Sequence, residues 1–234
     1  IDKVVLPQRP KDQWPMLVGF SDITALHSLL SLHGVASLHA NMCKDLSLLP
    51  DEDIALSAER EFFMADTIPS PLSFTSHLLP LTYHPSPHHA NVPYTIHHTS
   101  SSPLNRGGEV VGKLIGGNLS VLYGLQGTPY SLNKIIEQCE QPPILFIEDI
   151  SENHYHIDRM LNSLRMSAVF DSIGGLVVGQ FTDCADDPSM GCSLLESIRQ
   201  VVDDYSFPIL FDYPSGHIDS NYPLLLSADY LLSV

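Results

Sequence analysis

Three short segments of the sequence hold side chains of the types that nucleophilic catalysis uses. The first is Gly19-Phe20-Ser21-Asp22, which stands between an apolar run and a stretch of helical spacing. A tight turn there would form a nucleophile elbow, with the Ser21 hydroxyl at the helix start and the backbone N–H of Asp22 facing developing negative charge. The last glycine of G-x-S-x-G is replaced by Ile23. Because serine at a helix start is also an ordinary N-cap, both interpretations stay open.

The second segment is a pair of carboxylates, Glu148 and Asp149, that directly follows the apolar run 144–147. The carboxyl ends of buried strands are where α/β sheets collect functional groups. A carboxylate at that place could hold a histidine in one tautomer and stabilise its cation. Capping of a following helix would explain the pair equally well.

The third segment is a turn rich in proline and glycine that ends at His217, after the apolar run 209–211. Histidine suits a general base because its unperturbed pKa is near neutrality. The chain has 12 histidines, so residue type alone does not single out this one. The order Ser21, Glu148, His217 is compatible with a catalytic triad, although unrelated folds use other orders.

Hydrophobic spacing predicts the elements that would position these residues. The run 16–18 predicts a buried strand before Ser21, and apolar residues at helical spacing predict a helix after it. Later strands and helices alternate, which predicts an α/β domain with an at least partly parallel sheet. The other strands are expected at 35–38, 110–115, 144–147, 173–178 and 209–211, and the other helices at 51–64, 119–125, 156–164 and 194–202.

A stretch rich in proline, serine, threonine and histidine divides the chain. Its seven prolines block regular helix, and loops of this length are uncommon inside compact domains. We therefore predict a first domain over 1–67, a linker over 68–105 and a C-terminal α/β domain over 106–234. The linker histidines could suggest a metal-dependent hydrolase, but the acidic partners and rigid elements that position metal ligands are missing nearby, so no metal is expected. These histidines are His84, His88, His89, His97 and His98.

The composition excludes several classes of partner. With 27 acidic against 11 basic side chains, the formal charge of −16 repels phosphate backbones, so nucleic acid is not expected as a partner. No apolar run approaches the roughly 20 residues that span a bilayer, so no membrane association is expected either. The four cysteines lack a C-x-x-C pair, and the first residues lack the layout of a signal peptide; both features favour a reducing cytoplasm.

Taken together, the motifs resemble those of the LD-carboxypeptidases, a serine peptidase family that also includes microcin-immunity hydrolases. The segments that carry the resemblance are GFSDITALH at 19–27, GKLIGGNLS at 112–120, LFIEDI at 145–150 and the dipeptide GH at 216–217. Residues 160–165 and 179–181 are similar to the next helix and strand of that family. Several motifs in the family's order, over most of 12–223, make the resemblance specific.

The resemblance implies that Ser21 is the nucleophile, His217 the general base and Glu148 the residue that orients it. Family members cleave the amide between an L-configured centre and a terminal D-amino acid, typically releasing D-alanine from murein tetrapeptides during cytoplasmic cell-wall recycling. No metal or organic cofactor is needed. The implied fold is a nucleophile domain, Rossmann-like or flavodoxin-like, here without its N-terminal part, plus a C-terminal α/β domain with a mixed, partly parallel sheet. The implied assembly is a homodimer.

Some features leave alternatives open. Gly116, Gly117 and Asn118 could bring backbone close to a substrate or simply turn the chain. The family's usual His-Gly-Pro appears as His39-Ala40-Asn41, which affects the loop shape but no triad residue. Two other functions are considered: an immunity-type hydrolase of peptide–nucleotide antibiotics, and a non-catalytic peptide-binding remnant. Because cations are scarce, Arg106 and Arg159 are the candidates for binding a substrate carboxylate.

Overall fold

The computed structural model describes residues 1–64, 94–97 and 102–234. Most of the expected linker, including His84, His88, His89 and His98, lies outside the described residues. In chain order the strands are β1 (Val18–Gly19), β2 (Ser37–His39), β3 (Tyr94–His97), β4 (Glu109–Asn118), β5 (Ile144–Ile150), β6 (Gly175–Thr182), β7 (Ile209–Leu210), β8 (Leu224–Leu226) and β9 (Asp229–Ser233). The α-helices are α1 (Thr24–Leu32), α2 (Cys43–Leu46), α3 (Ile54–Met64), α4 (Leu119–Gly124), α5 (Leu132–Ile136), α6 (His154–Met166) and α7 (Leu194–Val201).

Two sheets organise these elements. The larger has the strand order β3-β9-β4-β5-β6-β7, in which β4 to β7 are parallel and β9 runs antiparallel to β4. The smaller has the order β1-β2-β8, with β1 parallel and β8 antiparallel to β2. The predicted α/β class with a mixed, partly parallel sheet is therefore confirmed, whereas the division into domains stays a prediction. Since β4 to β7 share one direction, their carboxyl ends lie along one edge.

The β5 strand shows why its sequence is apolar throughout. Leu145 and Ile147 face one core cluster beneath α4 to α7, whereas Ile144 and Phe146 face a second cluster that includes residues of β8 and α3. All four side chains are fully buried. A strand covered on both faces needs apolar residues at every position, which is why a continuous run rather than an alternation predicted it. The strand thereby brings Glu148 to a fixed place at the end of a rigid element.

Helix starts depend on polar caps that the hydrophobic pattern does not contain. The side chain of Asp53 accepts a hydrogen bond from the N–H of Leu56, so α3 begins at Ile54 rather than at residue 51. Asn118 likewise accepts from the N–H of Val121 and starts α4. None of the described helices combines the length and the apolar composition that a membrane span requires.

Candidate active site

Ser21 occupies a strained turn between β1 and α1. Its φ angle is 61°, a conformation that a residue with a side chain adopts at a cost of about 1–3 kcal/mol. A short 3₁₀ turn, Ser21–Ile23, follows and leads directly into α1. The N-cap positions of this turn and of α1 are Phe20 and Ile23, so Ser21 caps neither helix. The turn has the backbone strain of a nucleophile elbow.

A buried histidine supports this turn from below. The Nε2 atom of His27 lies 2.9 Å from the carbonyl oxygen of Gly19, and Nδ1 lies 2.8 Å from the hydroxyl of Ser37 on β2. Burial lowers the pKa of His27 to about 4, so the ring is neutral at physiological pH. Because a carbonyl can only accept, Nε2 donates to Gly19 and Nδ1 accepts from Ser37.

Glu148 and His217 form a direct pair. The Nδ1 atom of His217 lies 2.7 Å from Oε2 of Glu148, whose side chain is fully buried. Burial disfavours the charge of Glu148, but the hydrogen bond from His217 and the nearby His39 lower its pKa below the ordinary value. Burial likewise acts against the His217 cation, yet Glu148, Asp149 and Asp22 raise the pKa of His217. Since a carboxylate only accepts, Nδ1 carries the proton and Nε2 of the neutral ring is left with a free lone pair.

The close approach of His217 to Glu148 requires the glycine before it. Gly216 has a φ angle of 135°, and a Cβ atom at this position would lie 3.1 Å from both Cβ and Oε2 of Glu148. Its N–H donates to Oδ1 of Asn221, 2.9 Å away, which fixes the loop. A larger residue would therefore strain the loop and press against the side chain of Glu148 that His217 contacts.

The serine turn lies beside this pair. The ring of Phe20, which precedes Ser21, packs edge-on against the ring of His217 with 4.8 Å between centroids. The structure thus brings together the three segments that the sequence singled out, around the carboxyl ends of β1 and β5. It also distinguishes the two carboxylates. Asp149 accepts from the side chains of Asn118 (2.9 Å) and Ser120 (2.6 Å) instead of a histidine.

Known proteins share both this fold and this sequence pattern. Residues 111–232, just over half of the chain, match the family described as the LD-carboxypeptidase C-terminal domain. The chain belongs to the LD-carboxypeptidase family. It is 30% identical over 234 residues to a probable murein peptide carboxypeptidase of Bacillus subtilis, covering 97% of this chain and 61% of that protein. The microcin C7 self-immunity protein MccF of Escherichia coli is 29% identical over 120 residues, which cover 50% of this chain and 32% of MccF.

Among solved structures, the muramoyltetrapeptide carboxypeptidase of Oxalobacter formigenes is similar in fold. The TM-score is 0.68 at 24% sequence identity, over 94% of this chain and 65% of that one. At this level of identity the likeness shows the fold alone. The chain spans less than two thirds of the length of each of these LD-carboxypeptidase relatives.

The glycine-rich segment lies at the end of β4, against α1. A Cβ atom on Gly116 would lie 1.9 Å from the carbonyl oxygen of Phe146, and one on Gly117 would lie 2.5 Å from Oγ1 of Thr24. The N–H of Asn118 donates to the same Thr24 oxygen at 3.0 Å. The contacts of Gly117 and Asn118 with Thr24 join β4 to α1, the helix that follows Ser21. A direct role in substrate binding stays a prediction.

The two arginines considered for carboxylate binding lie in different surroundings. Arg106 donates to the backbone carbonyls of Val202, Asp203 and Tyr205, so its guanidinium is committed within the fold. Arg159 lies over the ring of Tyr155, 5.7 Å from its centroid, and lines a cavity of about 240 Å³ beside Ser120. Within the described part of the chain, no group of three or more His, Cys, Asp or Glu side chains could hold a metal.

A larger pocket, which the sequence did not reveal, opens beside His217. It has a volume of about 550 Å³. Its described lining includes three aspartates and neither lysine nor arginine. A pocket of this charge favours a cationic ligand group. The lining residues are Phe20, Asn41, Asp45, Leu48, Leu49, Pro50, Asp53, His217, Ile218, Asp219 and Ser220.

A buried glutamate behind this pocket gives a prediction about stability. Burial raises the pKa of Glu59 to about 7, although its Oε1 accepts from the N–H of Asn41 at 2.8 Å. The folded state thus holds this proton more tightly than the unfolded state, and stability falls as pH rises through the interval from about 4.5 to 7. We expect Glu59→Gln, which cannot ionise, to unfold with a free energy about 1–2 kcal/mol above that of the parent at pH 8.

Denaturant unfolding at pH 5 and pH 8 measures this effect. At pH 5 the two proteins should differ little, because Glu59 is already protonated in the folded parent. Glu52→Gln, at an exposed position near the start of the same helix, is the matched control and should show no such gain at pH 8. An equal difference between Glu59→Gln and parent at both pH values would contradict the assignment.

Proposed function

We propose that this protein is a serine carboxypeptidase that hydrolyses the amide between an L-configured diamino acid, diaminopimelate or lysine, and a terminal D-alanine in murein tetrapeptides. The observation that carries the proposal is the 2.7 Å pair of Glu148 and His217 beside the strained Ser21 turn. The relatives include a murein tetrapeptide carboxypeptidase and a probable murein peptide carboxypeptidase, and these support the substrate class. The family resemblance leads us further to propose a cytoplasmic homodimer that acts in cell-wall recycling.

The reaction follows from the proton positions. With Nδ1–H held by Glu148, Nε2 of His217 takes the proton of the Ser21 hydroxyl as the oxygen attacks the amide carbonyl. The oxyanion accepts from the backbone N–H of Asp22; one such donor contributes about 3 kcal/mol in the transition state. His217 then gives its proton to the departing amine of D-alanine, which leaves an acyl-enzyme. Water, activated by the same histidine, hydrolyses this ester.

The aspartates of the neighbouring pocket support the diamino acid in this proposal. Asp45, Asp53 and Asp219 line the pocket together with His217, so an ammonium group bound there would lie close to the scissile amide. The side chain of lysine ends in such a group, and that of diaminopimelate carries one beside a carboxylate. An immunity-type hydrolase of a peptide–nucleotide would call for aromatic walls around the base. The described lining of this pocket has one aromatic side chain besides His217, which is Phe20. The immunity-type alternative therefore has less support.

Release of D-alanine from a murein tetrapeptide with lysine at its third position tests the function and the pocket together. We expect acetylation of the lysine amine to raise KM by about fivefold to tenfold, because each partly exposed charge pair contributes up to about 1 kcal/mol. In Asp53→Asn this difference should shrink about twofold to threefold. Asparagine caps helices as well as aspartate does, so α3 should be kept. Equal KM values for the two peptides would remove the pocket from the proposal, and no release from either would remove the function.

A further inference from the structure

A second histidine, His39, faces the carboxylate of Glu148, and the mechanism above does not use it. It ends β2 and is fully buried. Its Nε2 atom lies 3.9 Å from Oε1 of Glu148, the oxygen that His217 leaves free. Neither Nε2 of His39 nor Oε1 of Glu148 has a hydrogen-bond partner among the described residues. Each oxygen of the carboxylate therefore faces one histidine ring nitrogen.

The surroundings of His39 fix the orientation of its ring. The ring packs edge-on against Phe146, 5.1 Å between centroids, and against Phe20, 6.1 Å between centroids. Phe20 also contacts the ring of His217, so the same aromatic side chain packs against both histidines. Apolar walls of this kind exclude water, and electrostatic contacts between enclosed groups are stronger than in solvent.

The second ring nitrogen ties His39 to the loop that carries His217. Nδ1 lies 3.4 Å from the hydroxyl oxygen of Ser215, which is itself bonded to the carbonyl of Tyr222 at 2.9 Å. On the other side, a carboxylate oxygen can only accept. Nε2 must therefore carry a proton for its contact with Glu148 to be favourable, whether or not Nδ1 carries one as well.

We propose that His39 is a positioning residue for the triad: its Nε2–H faces Oε1 of Glu148 across 3.9 Å and thereby holds the carboxylate in place electrostatically while sharing its negative charge with His217. The inference rests on the proposed function only for its effect on catalysis, since the charge sharing is a property of the protein alone. Through His39, strand β2 is linked to the pair of Glu148, on β5, and His217.

Removal of the His39 donor should change the pH at which His217 protonates in one definite direction. His217 is faced by Glu148, Asp149 and Asp22, whereas His39 is faced by Glu148 and, at 6.3 Å between ring centroids, by the neutral His27. Without the donor of His39, more of the charge of Glu148 acts on His217 and stabilises its cation. His217 should then protonate at a higher pH than in the parent.

Histidine titration followed by NMR on the full chain tests the proposal without any substrate. In His39→Leu, which has no donor, the His217 midpoint should rise by about half a pH unit or more. In His39→Gln, whose side-chain amide can reach the place of Nε2, the midpoint should return toward that of the parent. His39→Asn provides a second comparison if the leucine variant does not fold, because its shorter amide reaches the place of Nδ1 and should behave as a variant without the donor.

Kinetics on the same variants give the catalytic readout. We expect kcat for D-alanine release to fall about 10- to 100-fold in His39→Leu, as is usual when the partner of a functional side chain is lost, with KM within about twofold. The acidic limb of kcat/KM should move up with the NMR midpoint, and His39→Gln should recover most of both. A His217 midpoint that is unchanged or lowered in the folded variants without the donor would overturn the proposal. The NMR titration can be read even if the proposed peptide is not hydrolysed, so failure of the His39 proposal can be told apart from failure of the proposed function.

Discussion

Ser21→Ala should abolish the release of D-alanine from a murein tetrapeptide, with kcat lower by about 10⁴- to 10⁶-fold, the range seen when a nucleophile of this kind is removed. The reason is chemical rather than structural. Alanine takes the backbone conformation at φ 61° at a cost similar to that of serine, so the turn between β1 and α1 should persist. Only the hydroxyl that we propose His217 activates is lost.

Covalent labelling with a serine-directed phosphonate distinguishes this role from simple binding. The parent should be labelled at Ser21, and Ser21→Ala should not be labelled. Ser57→Ala removes an exposed hydroxyl on α3 and should be labelled as fast as the parent, which controls for reaction at ordinary serines. A parent chain that binds the tetrapeptide but is neither labelled nor active would favour the non-catalytic peptide-binding alternative. Turnover by Ser21→Ala at the parent rate would place the nucleophile elsewhere.

Glu148→Gln should lower kcat by about 10³- to 10⁴-fold. Glutamine is nearly isosteric, but its amide can present an N–H to Nδ1 of His217 and so favour the tautomer that has its proton on Nε2, where the base must be free. Loss of the negative charge also removes the largest of the three carboxylate contributions that raise the pKa of His217. The acidic limb of kcat/KM should therefore move to lower pH, opposite to the shift expected for His39→Leu.

Asp149→Asn is the matched control, because it changes the adjacent carboxylate of the same strand. Asp149 bonds Asn118 and Ser120, so its replacement should disturb the start of α4 while kcat stays within about tenfold of the parent. Measurement of kcat, KM and the pH profile for both variants separates the two carboxylates. Similar losses of kcat in the two variants would show that Glu148 has no special relation to His217.

The sequence could predict β4 to β7 of the larger sheet because buried strands give continuous apolar runs such as 144–147. It did not predict β3, which lies inside the stretch assigned to the linker. The apolar pattern alone could not choose between Glu148 and Asp149, and only the family resemblance named Glu148. Adjacent residues of a strand point to opposite faces, and the packed sheet is needed to see which face the His217 loop covers. The contact of His39 with Glu148 joins residues more than a hundred positions apart. No local pattern reports such a contact.

The strands β8 and β9 were missed for a related reason. Leu224–Leu226 and Asp229–Ser233 are short, and the stretch that contains them gives neither clear alternation nor a run long enough to separate strand from helix. Whether these residues form strands is decided by pairing with strands far away in the sequence. β8 pairs with β2, and β9 lies between β3 and β4.

This pairing determines when each sheet can fold during synthesis of the protein. While residues 224–233 are still inside the ribosome, the smaller sheet lacks β8 and the larger one lacks β9, which joins β3 to β4. Strand β2 must therefore wait with one edge unpaired until β3 to β7 have been synthesised and β8 has emerged. Neither sheet can be completed before residues 224–233 have emerged, and over that interval the nascent chain should depend on protection of these open edges, as by a ribosome-associated chaperone.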